Sequence, residues 1–316
     1  MIVTLTANPS VDRTMTLDRA LQRGGVFHAQ NVTDQPGGKG VNVARVLAMA
    51  GSSSTAVLPA DDQDPLVAGL EAAGVRPYAV HVGRPARVNI TVTEPDGTTT
   101  KLNDPGHPLS EEERSALQEG LLAASEPGEW VVLAGSLPPG VPTDWYAAVT
   151  TALKAAGRRV AIDTSGAALV AAVRQGGALP DLLKPNGEEL ASITGDDGVA
   201  LEADPRLAER AARRLVDEGV GAVLLTMGAA GAILVTAAGS WVATPPDVEV
   251  QSTVGAGDSS LAGYLLAEER GGSPADRLAE AVAYGAAAAS LPGSTMPRES
   301  DLDRDGVVVT AFDATA

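Results

Sequence analysis

The chain has 316 residues, 44% of them hydrophobic and only 3% aromatic, with a formal net charge of −17 and no cysteine. That length suits one large α/β domain or two modest ones, with a core filled by Ala, Val and Leu. The charge makes nucleic acid and anionic membranes poor partners, and the lack of cysteine excludes disulfides and thiolate metal sites. No apolar run approaches the roughly 20 residues that cross a bilayer, and residues 1–6 read as a strand rather than a signal peptide. A cytoplasmic protein is expected. An anionic small substrate stays admissible, because exposed charges are screened beyond about 8 Å at physiological salt. It needs a local cluster of basic groups, and with only four lysines in the chain, one inside a glycine loop is informative.

In chain order, strand-like runs at 2–6, 55–58, 130–134, 160–163, 182–184, 222–226 and 232–235 alternate with helical patterns. The helices fall near 41–50, 64–73, 111–124, 144–156, 167–174, 188–193 and 205–217, and another begins after Asp258. Apolar strands alternating with helices predict an α/β fold with a mostly parallel central sheet covered on both faces. Ligands in such sheets sit beyond the carboxyl ends of the strands. Two segments break the alternation. Residues 8–36 hold short strand-like pieces at 14–17 and 28–32, and residues 87–93 and 98–102 form a hairpin pattern around Pro95-Asp96-Gly97. Together they predict a small β-sheet lid, with lid segments at about 10–36 and 85–104 inserted in one domain over 1–316. The tail from Arg298 is acidic and weakly patterned.

The motifs come at the predicted strand ends. Asp12, in Asn8-Pro9-Ser10-Val11-Asp12-Arg13, is either a turn residue or a carboxylate placed to accept sugar hydroxyls. Gly37-Gly38-Lys39-Gly40 enters a helix carrying Asn42 and fits no P-loop. Its glycines admit a polar ligand, with Lys39 as a cation and Asn42 as a two-way hydrogen-bonding group. Arg87 and Asn89 share one face of the hairpin by period-2 alternation. Asn186 and Glu189 have the spacing of a helix cap and also that of a pair holding a hydrated Mg²⁺. Thr226-Met227-Gly228-Ala229-Ala230-Gly231 is a turn between two strands that could also wrap a nucleotide. Thr253-Val254-Gly255-Ala256-Gly257-Asp258 is a glycine turn entering a helix. Its amides converge on one point, and an aspartate stands in the first turn where a base would be needed. Neither glycine stretch completes the dinucleotide pattern, since Ser260 occupies the last position of the second.

The order of these motifs resembles that of the PfkB (ribokinase-like) carbohydrate kinase family over nearly the whole chain. The likeness rests on Gly37-Gly38-Lys39-Gly40-Val41-Asn42 and Thr253-Val254-Gly255-Ala256-Gly257-Asp258. Asn8-Pro9-Ser10-Val11-Asp12, Gly135-Ser136-Leu137-Pro138-Pro139-Gly140 and Lys184-Pro185-Asn186 add to it. The combination is similar to that of the branch acting on ketohexose phosphates. The resemblance implies a ribokinase-like three-layer sandwich with a β-sheet lid. It implies ATP-dependent conversion of D-fructose 1-phosphate to fructose 1,6-bisphosphate, with tagatose 6-phosphate or fructose 6-phosphate as alternative substrates. It further implies Asp258 as the base, with the amides of Gly255, Ala256 and Gly257 stabilising the transferred phosphoryl group. Asp12, Gly38, Asn42 and Ser136 would bind sugar hydroxyls, and Lys39 and Arg87, with Asn89 beside them, would hold the sugar's phosphate. Lys184, Asn186, Thr226, Gly228 and Gly231 would line the ATP site, and Asn186 with Glu189 would organise Mg²⁺ through water. A monovalent cation near Ser252 and a homodimer built through the lid belong to the same expectation. Val26-Phe27-His28 departs from the Val-Asn-Arg common in relatives, replacing a permanent cation with a titratable one. A non-catalytic sugar-phosphate sensor would dispense with the base or the anion loop, and both are present.

Overall fold

The computed structural model describes residues 1–312. The apolar runs become strands β1 (Ile2–Thr6), β4 (Ser54–Pro59), β8 (Trp130–Ala134), β9 (Arg159–Asp163), β10 (Leu182–Leu183), β11 (Ala222–Thr226) and β12 (Ala232–Thr236). Three further strands complete the sheet: β5 (Arg76–Val80), β13 (Gly239–Thr244) and β14 (Val308–Ala311). They form one ten-stranded sheet in the order β14-β13-β12-β11-β10-β9-β8-β1-β4-β5. Pairing is parallel from β5 to β11 and antiparallel from β11 to β14. The predicted parallel core is therefore present, with an antiparallel extension at one edge. β14 lies in the tail that reads as weakly patterned. It is an edge strand with mostly exposed residues, so its sequence carries no apolar period.

Alternate residues of each central strand feed two cores. Val3, Leu5, Val131, Leu133, Val160 and Ile162 face α3 (Glu111–Ala124), α4 (Trp145–Ala155), α5 (Gly166–Arg174), α6 (Gly187–Thr194) and α8 (Pro205–Asp217). Ile2, Trp130, Val132, Ala161, Leu182 and Leu224 face α1 (Lys39–Met49), α9 (Ala256–Glu269) and α10 (Pro274–Ala289). This gives the three layers of a helix–sheet–helix sandwich. Two shorter helices, α2 (Pro65–Ala72) and α7 (Gly198–Ala203), complete the set. Among the described residues, no helix is long and apolar enough to cross a membrane.

A second, four-stranded sheet has the order β3-β2-β6-β7, from β2 (Ser10–Thr16), β3 (Asn31–Gly37), β6 (Arg87–Thr93) and β7 (Thr99–Leu102). The strand expected over 28–32 instead starts at Asn31 and runs to Gly37, because its partner β2 extends to Ser10. Pro36 is tolerated because β3 is an edge strand with no neighbour on its other side. His28 lies outside the strand and is exposed. Register places Ser10, Asp12, Arg87, Asn89 and Gln35 on one face of this sheet. Met15, Val32, Ile90, Val92 and Leu102 share the other. The sheet is rooted by Val11 and Val88, which pack with Val41 and Ala44 of α1 and Leu66 and Leu70 of α2.

Candidate active site

Two helices begin on glycines at the carboxyl side of the large sheet. The N-cap of α1 is Gly38 and that of α9 is Gly255, with φ of 113° and 78°, and neither helix has a side-chain cap. Left-handed backbone of this kind favours glycine, and first turns without a side-chain cap turn their amides toward an incoming anion; in α9 the Ala256 amide also makes a long, 3.4 Å bond to the Thr253 carbonyl. The helices are tied together at these turns: Asn42 Nδ2 of α1 donates to Asp258 Oδ2 of α9 at 2.8 Å. Asn42 Oδ1 is buried without a partner, so an acceptor remains beside the carboxylate.

Asp258 is 6% exposed. Burial, then the negative charge of Asp163, pushes its carboxyl up to about 6, against the opposing pull of Lys39, the Asn42 hydrogen bond and Lys184. A carboxylate with this affinity for a proton, and no cation bound directly to it, can serve as a general base near neutrality. Asp163 ends β9, with its side chain fully buried. Lys39 Nζ donates to Asp163 Oδ1 at 2.6 Å, and Lys184 Nζ lies 3.0 Å from Oδ2. Burial opposes the charge on Asp163, but the two lysines outweigh it and hold its carboxyl below the ordinary value. Burial likewise opposes the charge on Lys39, yet Asp163 and Asp258 outweigh it and raise its pKa. Lys184 also approaches the anion loop so closely that a Cβ at residue 257 would stand 3.1 Å from its Nζ. Gly257 leaves room for that ammonium against the α9 backbone.

A cavity of about 880 Å³ opens over these groups. It gathers Lys39, Lys184, Asn186, Glu189, Thr226, Gly228 and Gly231 with Gly255, Ala256, Gly257 and Asp258. Apolar residues Val248, Val250, Val282, Ala286 and Ala289 also line it. A cavity lined by cations, an uncapped helix start and apolar side chains suits a nucleoside triphosphate. Asn186 and Glu189 form a capping box on α6: Asn186 Oδ1 accepts from the Glu189 amide at 2.8 Å, and Glu189 Oε2 from the Asn186 amide at 2.9 Å. The cap reading holds, and it leaves the Asn186 side-chain Nδ2 and Glu189 Oε1 without a partner in the box. Among the described residues, no group of three or more His, Cys, Asp or Glu could cage a metal. The donor set therefore fits a hydrated Mg²⁺ held through its waters and not a dehydrated ion.

On the small sheet, Asp12 Oδ1 accepts from Ser10 Oγ at 2.7 Å and from Asn89 Nδ2 at 3.0 Å. Asp12 rests on Gly37, where a Cβ would lie 2.2 Å from Oδ2. Arg87 is half-buried beside them and donates from Nη1 to the Asp104 carbonyl at 2.5 Å. Arg87 opens on a separate small pocket shared with Asn8, Arg84 and His107. Lys39 and Arg87 have different present partners and line different cavities: Lys39 donates to Asp163 and Arg87 to the Asp104 carbonyl. Ser136 follows β8 and is exposed. It adjoins Gly135, whose Cβ position would be 3.8 Å from the Lys39 backbone nitrogen. Sequence reasoning missed Asp163 and the apolar lining of the cavity. The first had a signal, an aspartate closing an apolar strand; the valines and alanines of that lining had none.

The family described as pfkB family carbohydrate kinase matches residues 5–301. The chain is 38% identical over 272 residues to 1-phosphofructokinase of Xanthomonas campestris pv. campestris, covering 84% of this chain and 83% of that protein. It superposes on phosphofructokinase-2 from Escherichia coli in complex with fructose-6-phosphate with a TM-score of 0.86. That alignment has 31% identity and covers 95% of this chain and 96% of the other; the same enzyme is solved in complex with potassium. Ribokinase from Thermotoga maritima shares the fold at 19% identity, with a TM-score of 0.73 over 95% and 97% of the two chains. The chain belongs to the pfkB family of carbohydrate kinases and has the ribokinase-like fold.

Proposed function

We propose that this chain transfers the γ-phosphoryl group of ATP to D-fructose 1-phosphate, giving fructose 1,6-bisphosphate and ADP. The observation that carries the reading is Asp258: a buried carboxylate of raised proton affinity, on the first turn of a glycine-led helix that has no side-chain cap. The 1-phosphofructokinase relative supports the choice of sugar.

In this reading the sugar's free primary hydroxyl lies against Asp258, which takes its proton as the oxygen attacks the γ-phosphorus. The new O–P bond forms as the bond from γ-phosphorus to the β,γ-bridging oxygen breaks, and the electron pair leaves with ADP. The Gly255–Gly257 amides and the Lys184 and Lys39 ammonium groups face the charge on the transferred group, where most of the work of phosphoryl transfer lies. Lys39 is assigned here to the reacting centre and not, as the resemblance implied, to the sugar's own phosphate. Arg87 takes that phosphate, and Asp12 and Asn89 take sugar hydroxyls, with Asn42 Oδ1, Gly38 and Ser136 completing the sugar's surroundings. Asn186 and Glu189 would hold waters of the Mg²⁺ that arrives with ATP and neutralises its phosphates. Thr226, Gly228 and Gly231 border the ribose and phosphates. The potassium complex of the E. coli neighbour supports use of a monovalent cation, for which the turn at Ser252 is the proposed place.

The small sheet acts as a lid, its polar face over the sugar. Its other face leaves Val32 49% and Leu102 58% exposed beside Met15, Ile90 and Val92. Covering that surface supports a homodimer through the lids. Light scattering should give twice the chain mass, and a strict monomer would refute the pairing.

A second reading, phosphorylation of fructose 6-phosphate, is favoured by the E. coli neighbour; tagatose 6-phosphate is the third. An ADP-coupled assay over the three sugar phosphates and free fructose decides. Highest kcat/KM on fructose 1-phosphate is expected, and comparable rates on free fructose would remove the phosphate clamp.

A further inference from the structure

We propose that Asp163 is a positioning residue of the phosphoryl-transfer site, binding Lys39 on one carboxylate oxygen and Lys184 on the other so that both ammonium groups flank the reacting phosphoryl group. This rests on the kinase reading above. No motif includes Asp163, and its side chain does not line the cavity. Both of its partners do.

The geometry sets a division of labour. Lys184 is 4% exposed and lies against the Gly257 backbone, on the anion-loop side. Lys39 is 36% exposed and leads α1, on the sugar-loop side. One carboxylate, 0% exposed, spans them. A carboxylate is costly to bury and needs strong pairing to persist; here that pairing is spent on two cations that themselves face the ligand cavity. The Asp163 backbone takes part as well, its carbonyl accepting from the Gly135 amide at 2.9 Å, which holds the β8 exit next to Ser136.

Charge explains why the carboxylate is needed. The groups facing Asp163 are Lys39, Lys184, Asp258 and the Tyr146 phenol. Those facing Asp258 are Asp163, Lys39 and Lys184, with the Asn42 amide, while Glu189 acts on Lys39 from α6. Without Asp163 the two ammonium groups have Asp258 as their common anion. They would move onto the base, and a base held in an ion pair is a weaker proton acceptor. Asp163 therefore keeps the lysines off Asp258 and in place for the incoming phosphates.

The test is Asp163→Asn in the full-length protein, which keeps shape and removes the charge. Three readouts are taken: kcat on the sugar phosphate the parent turns over best, the acid limb of kcat/KM, and the ratio of ADP to ATP dissociation constants by calorimetry. Turnover should fall about 10²–10³-fold, the loss expected for misplaced electrostatic groups. The acid limb should move to lower pH, since a negative charge beside the base is gone. ATP should lose its advantage over ADP, because the γ-phosphate no longer meets placed cations. Adding Asp163→Asn to Lys184→Met should cost much less than in the parent, the non-additivity of groups acting as a unit. A variant whose turnover falls only with its folded fraction by thermal unfolding, with an unmoved acid limb and full additivity, overturns the proposal. If Asp163→Asn does not fold, Asp163→Glu takes its place: partial turnover with the parent's acid limb supports the role, and undiminished turnover refutes it. A parent protein inactive on every sugar phosphate refutes the kinase reading instead, and the calorimetric ratio still tests Asp163.

Discussion

Replacing Asp258 by Asn should lower kcat by about 10²–10⁴-fold, the range a positioned general base contributes, and should make the protein more stable at pH 7. The first effect follows from removing the carboxylate that takes the hydroxyl proton in the proposed reaction. The second follows from linkage. The folded-state affinity of Asp258 for a proton is raised, from 3.8 to about 6, chiefly by burial. Between those two values the folded protein binds more protons at this site than the unfolded chain does. Stability therefore falls as pH rises through that window, and above it the folded state carries an ionised Asp258 at a cost on the order of 3 kcal/mol. Asparagine mimics the neutral acid and escapes that cost, while Asn42 can still donate to its side-chain oxygen. Thermal unfolding at pH 7 should show a higher Tm for Asp258→Asn, and the gap should close below about pH 4. The parent enzyme should show an acid limb in kcat/KM near pH 6. A variant with near-parent turnover refutes the base; equal Tm at all pH values refutes the buried charge.

Replacing Arg87 by Met should raise KM for fructose 1-phosphate and lower kcat/KM by about 10–100-fold, with KM for ATP unchanged. Charge-assisted hydrogen bonds to a phosphate contribute roughly 1.5–3 kcal/mol each. The Arg87 side chain is already ordered by the Asp104 carbonyl, so little conformational freedom is lost on binding. Arg87→Lys keeps the charge and loses the planar fork, and should fall between parent and Met. Free fructose should respond to neither change. Steady-state kinetics with both sugars decides: an equal fall on fructose and on its phosphate would mean that Arg87 supports the lid and does not bind phosphate.

Much of this architecture is local information. The apolar runs at β1, β8, β9 and β11 are short, continuous and bounded by turn residues, as strands buried on both faces must be. The glycines before α1 and α9 announce uncapped helix starts, and the hairpin of β6 and β7 declares its turn at Pro95-Asp96-Gly97. Where the pattern was faint, burial was asymmetric or absent. β14 is an edge strand with exposed residues, so no periodicity marks it. β3 starts at Asn31, beyond the start of the strand-like run at 28–32, and its mostly exposed residues with Pro36 carry no apolar period to mark it.

The site divides along the same line. Sequence alone determined which chemical groups the chain owns and that they fall at strand ends: Asp258 behind two glycines, Lys39 in a glycine loop, Arg87 and Asn89 on one strand face. These are matters of spacing, which covalent geometry converts directly into direction. Tertiary structure decided which groups meet. It set Asn42 against Asp258 across 216 residues and Lys39 against Asp163 across 124. Those pairings depend on how α1 and α9 lie side by side on the sheet. They arise because a buried charge must find its partner wherever packing brings one within reach.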